Sequence, residues 1–174
     1  MATTSTQSRG AQAAKQSRSK RRGSGDPLAV SMLKKDHREV EKLFDRFERL
    51  KSDGEKQELF RKIATALKIH TLIEEEIFYA ESRGEVEDNL LDEAQVEHDG
   101  AKHLISEIED MEPGDDLYDA KVTVLREYIK HHVKEEERPG GIMAQAKKGD
   151  EDLDEMGKRM QIRKRELMLE YEGH

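Results

Sequence analysis

Between Pro27 and Arg138 apolar residues return every three or four positions in four separate stretches, each closed by residues that break helices. The first stripe is Leu33, Val40, Leu43, Phe44, Phe47 and Leu50, and the second is Leu59, Ile63, Ala66, Leu67, Ile77 and Phe78. The third is Leu91, Ala94, Ala101, Ile105 and Ile108, and the fourth is Val122, Leu125, Ile129 and Val133. This is the period of one face of an α-helix. The breaks are Asp53-Gly54, Gly84, Pro113-Gly114 and Pro139-Gly140-Gly141. Asp26 before Pro27 reads as an N-cap followed by proline in the first helical position. The pattern predicts helices from Asp26-Pro27 to the first break and over about 55–83, 86–111 and 116–138. No stretch alternates as a strand does. Long helices joined by short turns bury their stripes on one another as an antiparallel up-down-up-down bundle, so the fold class is all-α.

A fifth pattern, Leu153, Met156, Met160 and Leu167, predicts an additional C-terminal helix that packs on the bundle or on a partner chain. The expected division is a basic tail over 1–26, the four-helix bundle over 27–148 and the last helix over 149–174. The tail rests on charge. The chain has 31 Lys and Arg against 39 Asp and Glu, a net −8 over 174 residues. Residues 1–27 hold Arg9, Lys15, Arg18, Lys20, Arg21 and Arg22 against Asp26, so they are +5 and the remainder −13. From Ala2 to Gly25 there is no Leu, Ile, Val, Met or aromatic residue. Such a segment cannot offset its chain entropy by burial and is expected to be disordered. Its Lys20-Arg21-Arg22 cluster would give at most weak nucleic-acid contact.

The absence of cysteine excludes disulfides, thiolate metal sites and cysteine nucleophiles,. No secretory apolar core and no run long enough to span a membrane is present, which is the pattern of a cytoplasmic protein. A monomer or weak dimer is expected.

The informative residues are polar ones on the core faces. His37 lies four after Leu33 and three before Val40. His70 lies four after Ala66, and Glu74 one turn further on. His98 lies four after Ala94 and seven before Ile105. His132 lies three after Ile129, with Glu136 one turn on. Residues four apart on a helix stack on one face, so His70/Glu74 and His132/Glu136 are two inward pairs. Measured from the bundle end, the four histidines spread over about 10 Å along the axis at 1.5 Å per residue. Four imidazoles and two carboxylates thus fall in one layer. Left unpaired they would cost several kcal/mol each, and a pair of metal ions removes that cost. Glu97, Tyr79 and Tyr128 are weaker candidates for ligands or supporting groups. His131 competes with His132 for the inward position, and the Glu75-Glu76 and Glu135–Glu137 runs read as solvated faces.

The segments Asp36-His37-Arg38-Glu39, His70-Thr71-Leu72-Ile73-Glu74-Glu75-Glu76, Glu97-His98-Asp99 and His131-His132-Val133-Lys134-Glu135-Glu136-Glu137 resemble the hemerythrin-like, or HHE cation-binding, family. The resemblance covers about residues 28–170. It implies a non-haem di-iron centre, oxo- or hydroxo-bridged, in a four-helix bundle. Carried over, Glu74 and Glu136 would bridge the two irons, His37 and His70 would bind one, and His98 and His132 the other. Oxygen-carrying members have a further histidine four residues after the third-helix one. Here that position is Lys102, which cannot ligate and would leave one iron with an extra open site. His103, one residue on, reads as a surface histidine. The family's aromatic-Pro closure after the fourth helix is also missing, and Ile142 or Met143 is expected to seal that end.

Two functions compete. The first is a hemerythrin-like protein that binds, senses or detoxifies oxygen, peroxide, nitric oxide or iron in a stress response. The absent histidine at Lys102 argues against reversible oxygen carriage. The second is a non-metal helical interaction protein tethered by its basic tail to nucleic acid or another protein. Nothing in the second requires four inward histidines.

Overall fold

The computed structural model describes residues 25–173. The tail over residues 1–24 and His174 lie outside the described residues. Helix α1 spans Leu28–Phe47. Helix α2 runs through Asp53–Ile73, a π-helical turn Glu74–Phe78 and a last turn Tyr79–Ser82. Helix α3 spans Asp88–Glu109, α4 Tyr118–Glu137, the short α5 Ile142–Ala146 and α6 Leu153–Glu172. Helices α1 to α4 form a closed square in which α1 packs on α2, α2 on α3, α3 on α4 and α4 on α1. The described residues contain no strand, and no helix among them is long and apolar enough to cross a membrane.

The turns follow from local chemistry. Gly84, Gly114 and Gly140 adopt φ of 91°, 102° and 82°, the left-handed region that glycine enters without steric cost,. Leu117 adopts φ 73° at the start of α4, so that helix begins later than the Asp116 expected from sequence.

Two other boundaries differ from the sequence reading. Pro27, with ψ 158°, is itself the capping position, and the Asp26 carboxylate caps nothing. It pairs instead with Lys34 at 2.7 Å and Lys147 at 2.8 Å. The orphan Leu28 N–H donates to Asp154 Oδ1 at 2.8 Å, so α6 supplies the cap that α1 lacks locally,. Asp53-Gly54 is not the end of α1 but the first turn of α2, where Asp53 and Glu55 suit the positive helix end,.

The core is in two parts. One holds Phe44, Phe47, Leu59, Phe60, Ile63, Leu67, Ile105, Ile108, Tyr118 and Leu125, with Tyr118 packed between the rings of Phe47 and Phe60. The other holds Val30, Leu33, Ile73, Phe78, Leu91, Ile142, Met143 and four residues of α6: Leu153, Met156, Met160 and Leu167. Helix α6 therefore buries its stripe on α1 and α2 of the same chain. Each buried aliphatic side chain contributes roughly 1.5–3 kcal/mol. Polar contacts fix the register: Arg159 pairs with Glu81, Arg163 with Glu76 and Lys164 with Asp36. At the crossing with α1, a Cβ on Gly157 would come within 2.6 Å of the Ala29 nitrogen. Only glycine permits that approach.

Candidate metal centre

The two apolar clusters are separated by one polar layer. His37 lies between Leu33 of one cluster and Val40 of the other, and His98 between Ala94 and Ala101. His37, His70, Glu74, His98, His132 and Glu136 are all buried in this layer. The structure thus brings together all six residues that the stripe phase selects.

Their inward atoms close into a ring. His37 Nε2 lies 3.0 Å from His70 Nε2, which lies 3.1 Å from Glu74 Oε2. Glu74 Oε2 is 3.3 Å from His98 Nε2, which is 3.2 Å from His132 Nε2. His132 Nε2 is 3.6 Å from Glu136 Oε2, which returns to His37 Nε2 at 3.4 Å. The donors form two groups able to hold a cation: His37, His70, Glu74 and Glu136, and Glu74, His98 and His132.

A second layer of acids stands behind the histidines, and it is cyclic. Glu137 of α4 accepts from His37 Nδ1 of α1 at 2.8 Å. Glu75 of α2 accepts from His98 Nδ1 of α3 at 2.9 Å, and Glu97 of α3 accepts from His132 Nδ1 of α4 at 2.8 Å. Asp36 of α1 faces His70 Nδ1 of α2 at 3.8 Å. Three helices thus brace the histidine of the next by a hydrogen bond, while His70 Nδ1 faces Asp36 without one. An Nδ1–H directed at a carboxylate leaves the Nε2 lone pair facing the centre, the tautomer a metal requires.

The π-turn has a local purpose. The Tyr79 N–H bonds back to the Glu74 carbonyl five residues earlier, and the wider turn brings Tyr79 onto the face of Glu74. The Tyr79 hydroxyl donates to Glu136 Oε1 at 2.6 Å and lies 3.5 Å from Glu74 Oε2 and His98 Nε2. Single π-turns of this kind are frequent at functional sites.

Burial acts against charge throughout the layer, and the pairs override it. Burial pulls His70 down, but the Glu74 charge and the nearby Asp36 hold it up at about 10. His98 is held at about 9 by Glu74 and Glu75 against the same burial. Burial raises Glu74, yet His70 and His98 keep it well below the usual carboxylate range. Burial and then the charges of Glu136 and Glu74 hold the Tyr79 hydroxyl well above 10, so it stays a donor.

The donor set fits a metal. Glu74 Oε1 and Glu136 Oε2 are buried without any hydrogen-bond partner. An anionic oxygen left so in a dry core is expensive, and a cation removes the deficit. Adjacent donors sharing an ion at about 2.1 Å stand roughly 3.0–3.4 Å apart, close to the ring separations. Imidazole nitrogen with carboxylate oxygen suits iron, manganese or zinc.

Several expectations are corrected. Glu75 and Glu137 are not solvated faces but second-layer acceptors. Asp36 belongs to the same layer and was not anticipated. Each of these acids, and Glu97, adjoins an inward residue in sequence, which is the signal that locates them. Lys102 turns its ammonium onto Glu75 at 2.6 Å. Of the weaker candidates, Glu97 and Tyr79 join the layer while Tyr128 is exposed. His131 points outward and His132 inward, and His103 is on the surface. Ile142 and Met143 are both buried at the bundle end.

Comparison with known proteins agrees with the fold. The hemerythrin HHE cation-binding domain model matches residues 28–139. A solved structure, a hemerythrin HHE cation-binding domain-containing protein from Mycobacterium kansasii, superposes with a TM-score of 0.67 at 24% identity, covering 80% of this chain and 86% of that one. At that identity the likeness speaks for the fold. None of the curated proteins compared with the chain matches it significantly. From the matched span and the bundle it describes, the chain belongs to the hemerythrin HHE cation-binding family.

Proposed function

We propose that the ring of His37, His70, Glu74, His98, His132 and Glu136 holds two iron ions, and that this cytoplasmic centre senses or removes peroxide or nitric oxide. One observation carries the reading: four imidazole nitrogens and two carboxylates close on one another while Glu74 Oε1 and Glu136 Oε2 have no other partner. His37 and His70 would hold one ion and His98 and His132 the other, with the two glutamates shared. Bound iron would supply the electrons and Lewis acidity that a small oxidant needs.

The protein's own part is positioning and exclusion. The second-layer acids fix the imidazole planes, the two apolar clusters exclude bulk water, and Tyr79 keeps a proton on its hydroxyl beside Glu136. Lys102 contributes no donor to the His98 side, which favours reaction with a small oxidant over reversible oxygen carriage.

The test is metal content with the visible absorption spectrum of protein made in iron-supplied cells. About two irons per chain are expected, lost in His70→Ala. Absence of bound metal would overturn the reading. Added peroxide then separates turnover, seen as sustained oxygen release, from sensing, seen as a single stoichiometric bleaching.

A further inference from the structure

The four second-layer acids differ in what lies on their outer side. Lys164 holds Asp36 at 2.5 Å, Lys102 holds Glu75 at 2.6 Å and Arg38 holds Glu137 at 2.5 Å. On three sides, therefore, a positive charge stands between the centre and solvent. Glu97 differs. Among the described residues no Lys or Arg pairs with it, and its outer partner is the exposed imidazole of His131 at 3.4 Å.

A cavity of about 110 Å³ lies on this same side. Its walls include exposed Glu93 and His131, the partly exposed Glu97 and Glu135, and buried His132 and Glu136, so it runs from the surface to the ring. Glu135 is engaged by Arg138 at 2.6 Å, while Glu93 has no Lys or Arg partner among the described residues. The side chain of Glu136 is only 1% exposed, and its Oε2 has no hydrogen-bond partner. The cavity thus reaches a buried carboxylate of the ring from a mouth that carries acids.

We propose that this cavity is the passage by which divalent cations reach the centre, with the carboxylates of Glu93 and Glu97 drawing them to its mouth. The inference rests on the reading that the ring takes up cations. Carboxylate oxygens and an imidazole suit a ferrous ion. The cavity has room for several waters, hence for an ion that has shed only part of its hydration. Acids at a mouth flanked by low-dielectric walls raise the local cation concentration and the rate of entry. The ammonium and guanidinium groups on the other three sides oppose entry there.

The experiment follows cobalt(II) entering the metal-free protein by stopped-flow absorbance, with stoichiometry measured at equilibrium. Two variants leave the six ring residues intact. Glu93→Lys reverses the charge at the mouth, and His131→Lys gives Glu97 the cationic cover its three counterparts carry. Glu58→Lys makes the same charge change on the exposed opposite face of α1 and α2 and serves as control. Both mouth variants should slow uptake about tenfold at low salt, with the gap closing at high salt. In Glu93→Lys release should slow in step, leaving stoichiometry and affinity unchanged, and the control should match wild type. Wild-type rates in both mouth variants, or equal slowing in the control, would overturn the passage alone. Failure of the wild-type protein to take up any cobalt would overturn the cation reading and the passage with it.

Discussion

Lys102 Nζ sits 2.6 Å from Glu75 Oε1, the same oxygen that accepts from His98 Nδ1 at 2.9 Å. A lysine in place of a ligand is thereby part of the support for one. Replacing it by methionine keeps the stem and removes the charge. Lys102→Met should lower cation retention by roughly tenfold or more, because outer partners tune ligand strength. The melting temperature should hardly move, since the pair is partly exposed. Competition with a chelator measures the first and thermal unfolding the second.

Tyr79 tests the π-turn. Tyr79→Phe leaves Glu136 Oε1 without its 2.6 Å donor in a buried layer. The metal-free protein should lose about 1–2 kcal/mol by chemical denaturation. Cation binding should recover part of that loss, because an ion would satisfy the same carboxylate.

The stability of the metal-free protein and the margin gained on loading should respond to pH with opposite signs. In the metal-free protein His70 and His98 are raised from 6.5 to about 10 and about 9. Their contribution is complete below about 6.5 and disappears as pH rises through 9 to 10. Glu74, lowered from 4.5, contributes above that value and loses its contribution in acid. The metal-free melting temperature should therefore be highest near neutrality and fall towards pH 10. Cations must displace the histidine protons, so the margin of loaded over metal-free protein should widen across the same range. Loading should also acidify a weakly buffered solution. A margin that narrows with alkali would contradict the assignment.

Gly157 tests the docking of α6. Gly157→Val would force side-chain atoms against the backbone of Leu28 and Ala29. A loss of roughly 1–3 kcal/mol is expected, together with faster proteolysis within α6. Gly54→Ala, where a Cβ meets nothing within 4 Å, should be neutral or slightly stabilising,.

The bundle was legible because its stripes are long and three of its turns hold a glycine in the left-handed region, at Gly84, Gly114 and Gly140,. Spacing selected His37, His70, Glu74, His98, His132 and Glu136 because a histidine amid Leu33 and Val40 has no reason to face inward as a solvated group. What spacing could not show was the second layer. Glu75 and Glu137 sit about 100° round from inward residues, a position that reads as surface until a neighbouring helix covers it. Nor could a regular 3.6-residue period reveal the π-turn that swings Tyr79 inward. The caps were misassigned for a similar reason: Asp26 found Lys34 and Lys147, and the helix it adjoins is capped by Asp154, 126 positions away from Leu28 in sequence.

A ribosome releases this polypeptide from its N-terminus, so every ring residue is made before Asp154, Met156, Met160 or Lys164. Until those emerge, α1 lacks its cap, Asp36 lacks its ammonium, and Val30 and Leu33 lack part of their cover. The nascent chain therefore carries a full set of ligating side chains on an unfinished scaffold. Completion of the scaffold around the centre therefore waits on α6, a clasp that is made after every residue it helps to hold.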